Sequence, residues 1–318
     1  MAALDTVNYA IRPNKNIERK VVFEALSYLE ADFPFAAYRY VGFGSLWFSD
    51  FVLAHQSLGI SDLISIQKGQ ALAARARFNA PYGCIMVIEG EFGALLSSLK
   101  LDERPAILWL DYESRIGAVL EELALTCERL PSGSVLLVTI NASKDAINAE
   151  NEAARRAKQE EAFREDVGQL APAAFPADFF DRSKYPNNLA QTLMDHLERA
   201  TRKSGRDERF VPLMHFSYSD NAPMITVGGM IANRVDSRRL ERANIQASLD
   251  FVRGRDQVTI AAPPLTTREK LALDRLLPRP TPPDAATLSA LGLPLKEAQI
   301  AEYHRHYLRY PVFAEMVP

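Results

Sequence analysis

Short, mostly apolar segments alternate with segments that carry an apolar stripe at helical spacing in the first 140 residues of the chain. The short segments predict buried strands, and the stripes predict amphipathic helices. The predicted strands are residues 37–41, 63–66, 84–88, 106–110 and 134–140. The predicted helices are residues 16–31, 46–57, 71–78 and 116–130. Strands that alternate with helices in this way pair in parallel through right-handed crossovers.

The pattern changes after the fifth predicted strand. Residues 144–208 are polar and helical, and two strand-like segments, 210–218 and 224–230, then follow with only turn-forming residues between them, which predicts a β-hairpin. Prolines interrupt residues 232–318, where short helices are predicted. We therefore expect an α/β fold with a doubly wound, mostly parallel seven-stranded sheet and a terminal antiparallel hairpin. The hairpin closes a domain of residues 1–231 with a helical insertion at about 144–208, and residues 232–318 form a helical C-terminal appendage.

The composition is that of an ordinary globular protein, with 318 residues of which 47% are hydrophobic and 24% charged. The formal net charge of −3 gives the whole chain no attraction to nucleic acid or membranes. No apolar run reaches the roughly 20 residues needed to span a bilayer, and the first ten residues do not read as a signal peptide. Cys84 and Cys127 fall in a predicted strand and a predicted helix, so we expect buried thiols in a reducing cytoplasm.

The strongest candidate for a binding site is the segment 39–45, where the first strand runs into Gly42 and Gly44. A glycine turn lets the backbone approach a nucleotide-like ligand closely, and an acidic residue at a later strand end can bind its polar groups. Asp111 stands at the end of the fourth strand. A lone G-x-G is a weak signal, which gains weight here from the ordered strands behind it. A nicotinamide-binding turn would have a third glycine where this chain has Trp47, which argues against that class of enzyme.

Five parallel strands and a hairpin, with glycines after the first strand, resemble the class I S-adenosylmethionine-dependent methyltransferases over about residues 1–231. The segments 8–13, 40–45 and 109–112 are also similar to a group of bacterial proteins usually described as putative O-methyltransferases. The resemblance implies S-adenosylmethionine as the cofactor. It also implies methyl transfer to an acceptor, expected to be an oxygen nucleophile, that the sequence does not identify.

The resemblance implies a set of cofactor-binding positions. In chain order they are Gly42, Phe43, Gly44, Ser45, Gln67, Glu89, Glu91 and Asp111. The two glycines would form the turn under the methionine part of the cofactor, and Gln67 would lie beside the ribose. The two glutamates would border the adenine, and Asp111 would lie near the methionine amine and the transferred methyl group.

Asp111 and Tyr112 are the candidate catalytic residues. Methyl transfer needs mainly the alignment of nucleophile and methyl group, with a base where the nucleophile carries a proton. Asp111 is the candidate for positioning or for the base, and Tyr112 would flank the substrate. Because N-terminal segments of this fold often cover the active site, we expect contacts to an anionic substrate from Arg12, Asn14, Lys15 and Arg19.

Two positions depart from the family's pattern, since Tyr40 and Gln67 stand where acidic residues are common. An ionised acceptor adds roughly 1 kcal/mol beyond a neutral one. The alternative is therefore a catalytically weakened or inactive scaffold, or a nucleic-acid-associated module. Asp111 can also be read as a helix N-cap, and Glu89 and Glu91 as ordinary loop carboxylates.

The remaining candidates are weaker. His304 and His306 are two residues apart on a predicted helix, so they do not face one metal ion, and no metal is predicted. The arginine-rich stretch 234–255 could contact phosphates, but a solvated helix face is favoured over a nucleic-acid site. A homo-oligomer is left open.

Overall fold

The computed structural model of the chain describes residues 12–144, 149–203 and 206–312, so the family-like residues 8–11 lie outside it. The strands are β1 (Arg39–Phe43), β2 (Asp62–Gln67), β3 (Ile85–Glu89), β4 (Ala106–Asp111), β5 (Val135–Asn141), β6 (Arg209–Ser219), β7 (Pro223–Ala232) and β8 (Val258–Ile260). The helices are α1 (Pro13–Leu29), α2 (Ser49–Leu58), α3 (Gln70–Asn79), α4 (Phe92–Leu95), α5 (Leu120–Arg129), α6 (Glu152–Val167), α7 (Tyr185–Lys203), α8 (Arg234–Ala243), α9 (Ile245–Ser248), α10 (Thr267–Asp274), α11 (Ala285–Ala290) and α12 (Glu297–His306). None of the helices described is long and apolar enough to cross a membrane.

The described strands form one eight-stranded sheet in the order β3-β2-β1-β4-β5-β7-β6-β8. Strands β1 to β5 are parallel, β7 runs antiparallel to both β5 and β6, and β8 is parallel to β6. The predicted fold class, a mostly parallel sheet that ends in an antiparallel hairpin, is confirmed. The predicted number of seven strands is one short, because the three residues of β8 are too few to show an apolar period.

Helices cover both faces of the sheet, because alternate residues of each strand point to opposite sides. Tyr40 and Trp109 pack with residues of α1, α2 and α3 on one face. Val41 and Leu110 pack with residues of α5, α6 and α7 on the other. Burial on both faces explains why these strands are almost continuously apolar in the sequence.

The ends of the predicted elements differ from the observed ones by a few residues, and the difference matters at β1. This strand was expected at residues 37–41 and lies at Arg39–Phe43. Gly42 is therefore inside the strand, where it pairs with Ser65 of β2 and Trp109 of β4, and it does not form the turn. Gly44 is the first residue after the strand.

The C-terminal residues pack against the same core as α1. Strand β8 joins the sheet beside β6, and Tyr303 and Tyr310 are buried in the cluster on the α1 face. The Arg309 guanidinium contacts the Glu24 carboxylate of α1 through two hydrogen bonds of 2.7 Å. The division into domains at residue 231 stays a prediction.

The hairpin of β6 and β7 depends on a glycine. A Cβ atom at Gly229 would lie 2.5 Å from the carbonyl oxygen of Val211 and 2.6 Å from the ring Cζ of Phe210. We therefore expect Gly229→Ala to lower the free energy of unfolding by about 1–3 kcal/mol, measured by urea denaturation. The control is Gly83→Ala, because nothing lies within 4 Å of the added methyl group. Equal losses in the two variants would contradict the packing described.

Candidate active site

The strand order reverses between β1 and β4, with β2 and β3 on one side and β5 on the other. In open α/β sheets, ligands bind in the crevice outside the carboxyl ends of the strands at such a point. Phe43 ends β1 and Asp111 ends β4. The glycine segment and the acidic residue singled out in the sequence therefore lie on the two sides of this crevice. We call the edge formed by the carboxyl ends of β1 to β5 the carboxyl edge.

Helix α1 brings a buried lysine onto the carboxyl edge. The Nζ atom of Lys15 lies 2.8 Å from Oδ2 of Asp111 and 2.8 Å from Oε2 of Glu18. It also lies over the rings of Trp109 and Tyr218, at 5.1 and 5.4 Å from their centroids. Burial lowers the pKa of Lys15, but the two carboxylates raise it by more, so the side chain stays an ammonium ion.

Glu18 is fully buried between α1 and the sheet. The Thr226 hydroxyl of β7 donates a hydrogen bond to it, and this hydroxyl lies 2.7 Å from that of Thr139 on β5. Burial raises the pKa of Glu18, and the ion pair with Lys15 offsets only part of the rise. Because it is fully buried, Glu18 can hold the Lys15 ammonium but cannot itself contact a ligand.

The sequence analysis missed Glu18, because an acidic residue in a helix with mixed charges is usually solvated. One feature of the sequence does indicate that Glu18 is buried. Glu18 lies three residues after Lys15 and four before Val22, so it shares the apolar face of the helix.

A second buried carboxyl group replaces the acid that is missing from position 40. The Tyr40 hydroxyl donates a hydrogen bond of 2.6 Å to Oδ2 of Asp50, which comes from α2. This Oδ2 atom would lie 3.3 Å from a Cβ atom at Gly42, so a carboxyl group adjoins the end of β1 after all. Burial raises the pKa of Asp50, and the charge of Arg19 on α1 lowers it in part. No local pattern in the sequence identifies Asp50, because its hydrogen-bond partner, Tyr40, lies ten residues earlier in the chain.

Gln67 holds the glycine segment. Its Nε2 atom donates to the carbonyl oxygen of Gly44 at 2.5 Å and to Oγ of Ser65 at 3.2 Å. A Cβ atom at Gly44 would overlap with Oγ of Ser65 and lie 2.7 Å from Nε2 of Gln67. The turn therefore needs glycine because side chains of β2 fill the adjoining space, and the Gln67 amide is already committed to this turn.

The other candidates for cofactor contacts lie at the surface or on the second face of the sheet. Glu89 is the last residue of β3 and Glu91 follows the strand. Both are exposed, and Glu91 forms an ion pair of 2.5 Å with Lys68. The ring of Tyr112 lies 5.0 Å from that of Phe43, and its hydroxyl donates to Glu122 of α5. Tyr112 thus packs on the α5 face, opposite to Lys15.

Asn14 ties α1 to the β6–β7 turn. Its Nδ2 atom donates to the Ser219 carbonyl oxygen and to Oδ1 of Asp220, both at 3.1 Å. Its Oδ1 atom accepts a 2.8 Å hydrogen bond from the backbone of Ala262. Asp220 also accepts from the backbone N–H groups of residues 14 and 15, so it caps α1 from outside the helix.

Arg12 lies against the Asn221 side chain of the same turn. Of the four predicted substrate contacts, Lys15 and Arg19 reach toward the carboxyl edge, whereas Arg12 and Asn14 hold this turn.

The charges of the carboxyl edge suit a cationic ligand. Under α1 the described side chains include three carboxyl groups, Glu18, Asp50 and Asp111, and two cations, Lys15 and Arg19. Burial raises the pKa of Glu18 and of Asp50, so the exposed Asp111 carboxylate is the group of this set that suits a positively charged ligand. S-adenosylmethionine carries a sulfonium and an ammonium group, so these residues fit it. Asp111 is 33% exposed, so a ligand can reach this carboxylate.

The chain belongs to a family described as "Putative O-methyltransferase", whose model matches residues 7–318. This match confirms the resemblance found in the sequence. The family description implies methyl transfer. S-adenosylmethionine, the cofactor expected from the sequence, is consistent with this activity. No curated protein matches the chain.

Several solved structures are similar to parts of the chain. The O-methyltransferase TomG from Streptomyces achromogenes, in complex with S-adenosylmethionine, is 12% identical with a TM-score of 0.38, over 72% of this chain and 92% of that one. A protein from Klebsiella pneumoniae, described as a putative O-methyltransferase, is 13% identical with a TM-score of 0.37, over 69% and 80%. The fibrillarin pre-rRNA processing protein from Methanococcus jannaschii is 11% identical with a TM-score of 0.37, over 62% and 67%. The acceptor of this chain has to be inferred from its own residues.

Removal of the buried cation should destabilise the fold in a pH-dependent way. Lys15→Met leaves Glu18 and Asp111 without their ammonium partner, which should cost about 3–5 kcal/mol at neutral pH. The pKa of Glu18, already raised by burial, rises further without Lys15. A carboxyl group with a raised folded-state pKa stabilises the fold at low pH and loses this effect as the pH rises. The deficit against wild type, measured by urea denaturation, should therefore be smaller at about pH 5 than at about pH 8.

The matched control for this prediction is the double variant Lys15→Met/Glu18→Gln, which has no buried charge at position 18. Its deficit should be smaller than that of Lys15→Met and should vary less with pH. A deficit of Lys15→Met that is equal at both pH values would contradict the proposed coupling between the two side chains.

The Gln67 amide gives a second test. Gln67→Glu restores the acid that the family usually carries, but it places a carboxylate where an N–H group now donates to Gly44. We expect a loss of about 1–3 kcal/mol in the free energy of unfolding, because a donor is replaced by a second acceptor. Thermal or urea denaturation measures it, with Gln56→Glu on the exposed side of α2 as the control. A variant as stable as wild type would show that Gln67 does not hold the turn.

Proposed function

We propose that the chain is an S-adenosylmethionine-dependent O-methyltransferase whose cofactor binds in the crevice between β1 and β4, under α1. The observation that carries this proposal is the buried cluster of Lys15, Glu18 and Asp111 at the carboxyl edge. It lies at the reversal of the strand order, in a chain that belongs to a methyltransferase family. Binding of a cationic cofactor beside this cluster is supported by the exposed Asp111 carboxylate.

The chain offers groups for each part of the cofactor. Asp111 would bind the methionine ammonium group, and the backbone of the segment from Gly44 to Ser45 would lie under the methionine part. Glu89 and Glu91, which are exposed at the end of β3 and just after it, would border the adenine. When bound, S-adenosylmethionine supplies a methyl group that is already activated by the sulfonium.

The residues of the carboxyl edge would then prepare the acceptor. The Lys15 ammonium ion, held by two carboxylates, can orient an acceptor oxygen and stabilise the negative charge that develops when its proton leaves. Asp111 is the exposed carboxylate of the cluster and would take this proton. Trp109 and Tyr218, whose rings flank the ammonium, exclude water from it.

The alternative is a scaffold that has kept the fold and lost catalysis. One observation favours it, namely that Gln67 stands at the expected ribose position and its amide N–H is used by Gly44. We also propose that the protein is located in the cytoplasm. Both cysteines are free thiols, which is typical of a reducing cytoplasm.

Calorimetric titration with S-adenosylhomocysteine tests the proposal. We expect the wild type to bind, and Asp111→Asn to bind at least about tenfold more weakly, because a charged acceptor becomes neutral. Asp102→Asn, at the opposite end of β4, is the matched control and should bind like wild type. Absence of binding by the wild type up to about 1 mM ligand would contradict the enzyme proposal. Equal binding by Asp111→Asn would place the cofactor elsewhere.

A further inference from the structure

Strand β3 forms one edge of the sheet, and no described strand pairs with its outer side. The strand is regular, because its five residues pair with β2 in one unbroken register. It contains no proline, lysine or bulge, which are features that protect an exposed edge from pairing. An edge of this kind is a template for a further strand.

The backbone contacts of β3 show which of its groups face outward. The carbonyl oxygen of Cys84 accepts a 3.3 Å hydrogen bond from the N–H group of Leu63. The N–H group of Gly90 donates a 3.0 Å hydrogen bond to the carbonyl oxygen of Gln67. Both partners belong to β2, so the even-numbered positions of this segment face β2. Because the backbone groups of successive residues alternate in direction, the N–H and C=O groups of Val87 point away from the sheet.

The side chains of β3 leave an apolar surface at this edge. Ile85 and Val87 are buried on the face that α3 covers. Met86 and Ile88 point to the opposite face, where Ile88 packs at the border of the core and Met86 is 61% exposed. A partner strand would therefore find both free hydrogen-bonding groups and an apolar side chain to cover.

The charges at the two ends of β3 are opposite. Helix α3, which leads into the strand, carries Arg75 and Arg77 and no acidic residue. The strand ends in Glu89, and Glu91 follows it. A second copy of β3 that runs antiparallel brings its acidic end to the basic start of the first, whereas a parallel copy would bring like charges together.

We propose that β3 pairs antiparallel with β3 of a second copy of the chain, about a two-fold axis beside Val87. The two Val87 residues then exchange two hydrogen bonds, and the N–H group of Glu89 donates to the carbonyl oxygen of Ile85 in the other copy. Met86 of each copy packs against Ile88 of the other across the strands. The same patch serves both copies, as a two-fold interface requires.

The opposite edge of the sheet explains why assembly stops at two copies. Strand β8 has only three residues. The N–H group of Ala261, directly after it, donates to the Glu302 carboxylate of α12 at 3.3 Å. The described strands therefore leave one unprotected edge on each copy, and the two-fold pairing uses both of these edges.

Sedimentation velocity of the full chain from about 1 to about 200 μM tests the proposal. We expect a reversible equilibrium between the 35.5 kDa chain and its dimer, with a dissociation constant of about 1–100 μM because the edge is short. Met86→Lys should weaken the dimer at least about tenfold, since a charge replaces the apolar contact in both copies. Leu271→Lys, whose side chain is 53% exposed on α10, is the matched control and should leave the dimer unchanged.

Hydrogen exchange locates the contact on the chain. Where the dimer prevails, the amides of Val87 and Glu89 should exchange at least about tenfold more slowly than in Met86→Lys. Arg77→Glu, which places an acid beside the acidic end of the other copy, should weaken the dimer as well. Circular dichroism shows whether the variants are folded, and Arg77→Glu decides if Met86→Lys is not.

Three results would overturn the proposal. The first is a wild type that stays monomeric up to about 200 μM. The second is a dimer that neither variant weakens, or that Leu271→Lys weakens equally. The third is a dimer without added protection at residues 85–89, because its contact then lies elsewhere. None of these results depends on S-adenosylhomocysteine, so the dimer and the proposed function can fail separately.

Discussion

The candidate site depends on one buried lysine, Lys15, which forms ion pairs with Asp111 and Glu18. A lysine ammonium ion is costly to bury, and it is stable here because two carboxylates and two aromatic rings replace its water. The same contacts fix α1 across the carboxyl edge, directly above the reversal of the strand order. The cap that Asp220 supplies to α1 and the hydrogen bonds of Asn14 hold the helix from the side of the β6–β7 turn.

The cluster under α1 leaves one carboxylate within reach of a ligand, since Asp111 is 33% exposed while Glu18 is fully buried. A carboxylate at this position suits the positive charge of a methyl donor.

The order of strands and helices could be predicted from the sequence because strands buried on both faces are almost continuously apolar. The position of Asp111 beside the glycine segment followed from topology, since parallel strands end at one edge. Strand β8 could not be predicted, because three residues carry no period.

The partners of the site residues were beyond the reach of sequence patterns. Thr226 meets Glu18 from 208 positions away, and this contact exists only because α1 crosses the sheet at the hairpin. Position 40 carries a tyrosine instead of an acid, and Asp50 of α2 supplies a carboxyl group beside it. The place of Gln67 beside the ribose stays a prediction, and the hydrogen bond by which its amide holds the Gly44 turn has no signal in the sequence.

The central claim is that the crevice between β1 and β4, under α1, binds the methyl donor. The most direct measurement is a crystal structure of the chain with S-adenosylhomocysteine. The account predicts the ligand between the end of β1 and Asp111, with its amino group against the Asp111 carboxylate. A ligand bound away from Asp111 and Gly44, or no ligand in this crevice at saturating concentration, would contradict it.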